Sequence, residues 1–468
     1  MNKEVYQSNV TALLQRADSL HDRIGGSIHD DLVATIYRDA AEISAVAVNR
    51  EGRRWSDFDQ KVDRIVTSRI FGFPIMLALL TVVFWVTIKG ANVPSEMLAS
   101  GLFWLGDKLE FLLNAVHSPW WLTGFLVHGV YRGMAWVVAV MLPPMMIFFP
   151  LFTILEDLGY LPRVAFNLDR LFKTAGAHGK QALTMAMGFG CNAAGVTACR
   201  IIESPRERLI AILTNNFAPC NGRWPTLILV AGLFVAAPFP PAIAALAAAG
   251  SVVGVTLFGV FVMFVVSWVL SRTVLKGEAS AFTLELPPYR KPQILKTLYT
   301  SLIDRTLLVL WRAVIMAAPA GGVCWLLGNI TSGGQSLMAQ AAGWLNPFGL
   351  ALGLDGVILL AYIVAIPANE IIVPTILMAY MNAGMMVEMD SLAQMQALLV
   401  SHGWTIMTAV SLMLFSLLHN PCSTTIMAIY NETKSLKWTV IATLMPLALA
   451  FAICFAVAQV WRLLSGGL

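Results

Sequence analysis

From Ile70 to the C-terminus the sequence is a succession of apolar runs, each close to the roughly 20 residues a helix needs to cross about 30 Å of hydrocarbon. Within a bilayer the backbone must satisfy its own hydrogen bonds, so helices are the expected spanning elements. Only 12% of the 468 residues are charged, against roughly a quarter in an average soluble domain, which excludes an ordinary soluble fold. The hydropathy predicts segments at 70–88, 128–155, 181–199, 206–236, 242–271, 307–328, 353–381, 404–431 and 438–461. The expected fold class is an all-α polytopic membrane protein with about 8–10 membrane segments. Abundant Trp and Gly fit interfacial anchors and close helix contacts, while the 22 Met residues suit either packing or soft-metal handling.

Residues 1–66 are too polar and acidic for a signal peptide and are expected to stay in the cytoplasm as a helical connector. Ser27 and Asp30 make a capping box, and Ile28, Leu32, Ile36, Tyr37, Ala40 and Ile43 recur at helical spacing. That face predicts packing on a partner or on the membrane domain; a plain tail is the alternative. The expected units are then a first membrane half over 67–275, a cytoplasmic loop over 276–305 and a second membrane half over 306–468. Lys and Arg cluster before Arg69, between Arg163 and Lys180, between Arg200 and Arg208 and between Arg272 and Arg305, whereas 237–241 and 329–353 have none; the basic clusters mark the cytoplasmic side. The net charge of +4 carries no nucleic-acid signature.

Segment 181–199 has basic residues at both ends, so it is expected to enter and leave from the cytoplasm as a re-entrant element. Segment 353–381 has none on either side and is expected to dip in from outside. Each precedes a span interrupted by Pro-Cys, at Pro219-Cys220 and Pro421-Cys422. Two inverted gate repeats with re-entrant or broken helices follow as the expectation, the architecture of many secondary transporters.

The breaks hold the candidate site residues. Gly188 to Gly195 surrounds Cys191 and Asn192 with glycines that would free carbonyls beside a thiol and an amide, or simply let helices approach closely. Asn215 to Gly222 contains Cys220 and Asn221, and its proline leaves a carbonyl near residue 215 or 216 without a donor. Asn369 and Glu370 lie between Pro367 and Pro374, and an ionisable group inside an apolar segment is a functional candidate by default. His419 to Thr424 adds Cys422 and an imidazole that is either a ligand or a satisfied core residue. The six cysteines sit in apolar segments, which argues for free thiols rather than a disulfide framework. A donor set of thiol, amide, carboxylate and imidazole suits Fe²⁺, Zn²⁺ or Mn²⁺ better than Mg²⁺ or Ca²⁺.

Several motifs in order give the chain a family resemblance. Glu156 to Phe166, Asp169-Arg170, Phe189-Gly190-Cys191, Arg200 to Arg208 and Pro219-Cys220 resemble the first gate of the ferrous iron transport protein B family. Ala368-Asn369-Glu370, His419 to Thr425 and Glu432 to Thr439 resemble its second gate, and Asp63 to Val66 with Ile70 to Pro74 its entry into the first span. The resemblance implies inward Fe²⁺ transport across the bacterial cytoplasmic membrane, with Cys191, Cys220 and Cys422 on the ion path. Family members normally begin with a GTPase domain, but no Gly-x-x-x-x-Gly-Lys-Ser/Thr occurs here: Gly179-Lys180 is followed by Gln181. No nucleotide is therefore expected on this chain. Either the GTPase is a separate protein that docks on residues 1–66, or that domain was removed, or the protein works without it; small ferrous iron transport accessory proteins, membrane lipids and a second copy are further partners in keeping with the resemblance.

On this reading Fe²⁺ is the transported substrate, with metal contacts from Cys191, Cys220, Cys422, Asn369, Glu370, Asn192, Asn221 and His419. Two rivals stand beside it, a gate-type carrier of a nucleoside-like solute and a membrane enzyme or non-transporting metal sensor. Against an enzyme, the sequence has no His-Glu-x-x-His helix, Gly-x-Ser-x-Gly elbow or dinucleotide fingerprint.

Overall fold

The computed structural model describes residues 28–47, 61–68, 70–275 and 301–465 except 388 and 390, together with residues 16, 19, 289, 293, 294, 298 and 299. Ser27 of the expected capping box, Arg69 and most of the 276–305 loop lie outside the described residues. Helix α1 (Ile28–Ala47) forms as its periodicity predicts, with Leu32, Ile36, Tyr37 and Ile43 exposed on its surface.

Six described helices are long and apolar enough to cross a membrane, or seven if a pair bent by 110°, Leu337–Ala351 with Gly356–Val364, counts as one span. They begin with α2 (Gly72–Ala115) and α3 (Trp120–Asp157), which pack along one another. Between α3 and the later spans come α4 (Tyr160–Thr174), α5 (Gln181–Gly190), α6 (Asn192–Ala198), α7 (Pro205–Thr214) and α8 (Trp224–Val230). Two more long helices follow, α9 (Pro241–Arg272) and α10 (Leu308–Asn329). The remainder is α11 (Leu337–Ala351), α12 (Gly356–Val364), α13 (Ile372–Tyr380), α14 (Leu392–Ser401), α15 (Ile406–Leu418), α16 (Ser423–Thr433) and α17 (Leu436–Leu464).

Burial explains the arrangement. On α3, Val137, Met141, Met145, Phe148, Phe149 and Phe152 recur every three or four residues and are all buried, so one stripe of this helix forms a wall of the core. Helices α9 and α17 are apolar on every side and only 28% and 22% buried over their most apolar windows, as expected of helices with faces toward lipid. Where α3 crosses α10, Gly129, Gly133 and Gly321 bring backbone onto backbone, since a methyl on Gly321 would lie 2.4 Å from the Gly129 carbonyl.

Two expectations change. The first segment does not stop near residue 88 but continues as one helix to Ala115, through Pro94. The stretch 329–353 is not merely a loop: it contains α11, which turns at Gly353 (φ 74°) and packs against α12. A search for charge and hydropathy overlooks both, because neither a proline within a supported helix nor a turn between two apolar helices changes either signal.

One polar clamp ties Asp63, ahead of α2, to α4. Arg163 on α4 is 1% exposed; its Nε donates to Asp63 Oδ1 at 3.0 Å, its Nη2 to Asp63 Oδ2 at 3.1 Å and its Nη1 to the Gly159 carbonyl at 2.8 Å. Tyr289 donates from its hydroxyl to Asp63 Oδ1 at 2.9 Å, with its ring 4.2 Å from the guanidinium. Burial alone would raise the Asp63 pKa, but hydrogen bonds from Arg163 and Tyr289 and the charge of Arg163 outweigh it and hold the carboxyl below its ordinary value. Burial and Asp63 push the Tyr289 hydroxyl up to about 12. The Asp63 contribution to stability is therefore present above about pH 3.9 and is lost as pH falls through the lowered folded value; that of Tyr289 is present below about pH 10 and is lost as pH rises toward its folded value. D63N removes the negative charge that faces the buried Arg163 guanidinium and should cost about 2 kcal/mol at pH 7, read as a lower melting temperature, with the difference from wild type shrinking near pH 3.

Candidate functional site

The first hairpin turns on Cys191. Its backbone is extended (φ −153°, ψ 121°), so α5 ends and α6 begins across it. The two helices fold back on each other: Thr184 of α5 lies beside Gly195 of α6, where an added methyl would stand 2.8 Å from the Thr184 carbonyl. The notch between Gly188 and Gly195 receives the side chain of Asn215, whose Nδ2 donates to the Asn192 carbonyl at 3.1 Å. These glycines are thus small to admit an amide, which the sequence left open between site and close packing.

The second element of this gate is α7. Ser204 caps it by accepting from the Glu207 amide at 3.4 Å. The helix tightens into a 3₁₀ turn at Asn215–Phe217, is lost around Pro219-Cys220 and resumes at α8. A second set of breaks lies later in the chain. After α12 the chain breaks, makes a 3₁₀ turn at Asn369–Ile371 and continues as α13; α15 ends before His419, and α16 starts after Cys422. In both sets the residue after Pro-Cys is pinned to the facing break. Asn221 N donates to Gly190 O at 3.2 Å, and Ser423 N donates to Ile366 O at 3.0 Å.

The breaks converge. Cys191 and Cys220 are buried and Cys422 is partly so; the three thiols lie within electrostatic range of one another, and Cys220 and Cys422 also of Glu370. The Glu370 carboxylate rests on Gly222, where a methyl would meet its Oε1 at 2.4 Å, and the indole of Trp136 donates to the Glu370 carbonyl at 3.1 Å. Cys422 Sγ is 3.3 Å from Thr425 Oγ1. His419 is engaged through both ring nitrogens, Nδ1 with the Ser416 carbonyl at 2.8 Å and Nε2 with Asn369 Oδ1 at 3.2 Å. The Asn192 amide sits 3.3 Å from that of Asn216. Among the described residues no group of three or more His, Cys, Asp and Glu is positioned to hold a metal ion.

Sequence reasoning passed over Arg223, the centre of the junction. Fully buried, it donates from Nη1 to the carbonyls of Asn216 and Leu417, each at 2.8 Å, and from Nη2 to Asn216 Oδ1 at 3.0 Å and the carbonyls of His419 and Asn420 at 3.2 and 3.4 Å. Asn216 Nδ2 donates to the His419 carbonyl at 2.8 Å. The signal was available as a lone arginine within an apolar span.

A cavity of about 960 Å³ extends to Asn221 and Trp224, lined mostly by apolar side chains with Thr87, Ser95, Asn221 and Gln396 among the polar ones. At Asn221 and Trp224 it meets a space of only about 10 Å³ beside Phe148, Phe189 and Gly190. Such a space holds a single water at most.

Long apolar helices around a buried meeting of broken ones define a multi-pass helical membrane protein. Residues 138–234 match the family described as "Gate: Nucleoside recognition", and residues 252–304 match "Ferrous iron transport protein B C terminus". The chain carries the membrane region of the ferrous iron transport protein B (FeoB) family, with its gate and C-terminal domains. It is 30% identical over 424 residues to "Fe(2+) transporter FeoB" of Staphylococcus aureus (strain MSSA476), covering 87% of this chain and 60% of that one. To the protein of the same name from Campylobacter jejuni it is 26% identical over 419 residues, covering 86% and 66%. A Porphyromonas gingivalis "Fe(2+) transport protein A/Fe(2+) transporter FeoB fusion protein" is 26% identical over 449 residues, covering 86% and 51%. The chain thus spans about 60% of the length of the first of these relatives. No solved structure matches it.

Proposed function

We propose that this chain is an inward ferrous iron permease in which Fe²⁺ passes between two inverted gate repeats. The observation that carries the reading is the meeting of the Pro219-Cys220 and Pro421-Cys422 breaks, with their thiols and Glu370 within electrostatic range of one another, next to a large cavity that is lined by Asn221. The ion enters through that cavity, passes Asn221 and exchanges water for Cys191, Cys220 and Cys422, the amide oxygens of Asn192, Asn221 and Asn369, and the Glu370 carboxylate; His419 orients Asn369. The corresponding bonds from Asn221 to Gly190 and from Ser423 to Ile366 support the repeat. The basic clusters support a cytoplasmic N-terminus, and a GTPase protein and small accessory proteins act on that side.

Membrane potential can drive such uptake. At about 2.3 kcal/mol per charge per 100 mV, a divalent ion gains roughly 4.6 kcal/mol, which sustains about a thousandfold accumulation. Deprotonation of a coordinating thiol would release a proton as the ion binds. The test is anaerobic Fe²⁺ uptake into proteoliposomes containing the full chain, with and without an inside-negative potential; saturable, potential-stimulated uptake is expected.

The described gate match and the mostly apolar cavity favour one second reading, a carrier of a nucleoside-like solute. Uptake of labelled nucleoside in the same vesicles, with no Fe²⁺ flux from folded protein, would replace the iron reading with this one.

A further inference from the structure

The Arg223 contacts have an unusual composition. All five acceptors are neutral oxygens, four of them backbone carbonyls, drawn from the ends of two interrupted helices, α7 with its 3₁₀ turn and α15. No carboxylate forms an ion pair with the guanidinium among the described residues. Helix C-termini carry negative partial charge, and carbonyls released by interrupted membrane helices are recurrent ligands for alkali cations. A cluster built of oxygen alone is what hard cations such as Na⁺ and Ca²⁺ select. Here a tethered cation occupies it, while Cys220 and Cys422 stand within electrostatic range on the same two breaks.

We propose that Arg223 is a built-in cation that fills an oxygen cage at the gate junction, excludes hard cations from it and leaves the thiol-bearing side to softer ions. This makes Arg223 a specificity-determining residue that also fastens one gate to the other. The role in selectivity deepens the permease reading and rests on it; occupancy of the cage by a cation does not.

Two measurements separate these points. R223A in nanodiscs, lacking the tethered charge, should be stabilised by millimolar Na⁺, Ca²⁺ or guanidinium, each tested against choline at equal ionic strength. We expect its melting temperature to rise by several degrees with at least one of them and that of wild type not to respond. Absence of any such rescue overturns the inference, and this arm is informative even if the variant is poorly stable. In proteoliposomes, R223M should admit Na⁺ or Ca²⁺ at least tenfold faster than wild type, while R223K restores exclusion. Background flux through folded R223M overturns the selectivity role. If wild type moves no Fe²⁺ yet R223A is rescued by cations, the permease reading fails and the cage stands.

Discussion

Adding one methyl group at Gly356 is expected to destabilise the protein by about 3 kcal/mol or more, as overpacking against unyielding atoms does at its upper end. Gly356 opens α12 at the 110° bend from α11. A Cβ there would lie 1.8 Å from the Ala342 carbonyl oxygen and 2.7 Å from the Asn346 amide nitrogen. Both are backbone atoms of α11, so no rotamer change relieves the clash and the two helices must separate. The bond from the Gly356 amide to Asn346 Oδ1, 3.1 Å long, would go with them. Gly343, on the same helix α11, is the internal control: nothing lies within 4 Å of its added Cβ, and G343A should be neutral or stabilising by up to about 1 kcal/mol through helix propensity. Thermal melts of detergent-solubilised G356A, G343A and wild type decide it, and equal melting temperatures for the two variants would contradict the crossing.

The second large effect is on transport rather than on folding. At Gly222 the added methyl meets the far end of the Glu370 side chain, at 2.4 Å from Oε1 and 2.9 Å from Cδ. A flexible carboxylate can swing aside, so G222A should fold with a melting temperature within a few degrees of wild type while moving the charge from its place beside the Pro-Cys break. E370Q removes the charge and keeps the shape. Both are expected to lower Fe²⁺ uptake at least tenfold. An active G222A beside an inactive E370Q would mean that the carboxylate works from another position, and two active variants would remove Glu370 from the path.

Sequence and structure agree where a signal is local. The helices Pro241–Arg272 and Leu436–Leu464 lie within three residues of their expected bounds, because an uninterrupted apolar run has little choice in a membrane. The breaks at Pro219 and Pro421 were legible because proline interrupts a helix wherever it lacks support. What stayed hidden depends on distant partners. Pro94 interrupts nothing in α2, which meets α3 on either side of it, at Gly90 beside Ile147 and at Gly106 beside Tyr131. Arg223 finds its acceptors at Leu417, His419 and Asn420, almost 200 residues away, so the chemistry of that arginine was beyond local reading. Likewise, Cys191, Asn192, Asn369 and Glu370 stood out by type, but only the fold shows that Asn192 neighbours Asn216 and that Asn369 is joined to His419.

The central claim is that Fe²⁺ crosses at the junction of the two breaks, and the gate thiols test it most directly. Anaerobic Fe²⁺ uptake should be compared in proteoliposomes of wild type, C191S, C422S and C454S, at equal protein and with folding verified. Cys454 is buried on α17 with its thiol toward the Ser411 carbonyl, away from the breaks, and controls for the loss of any thiol. The account predicts at least a tenfold loss of potential-stimulated uptake in C191S and C422S and near wild-type uptake in C454S. Full uptake in both gate variants would contradict it, because the ion would then cross without the thiols that the two breaks bring together.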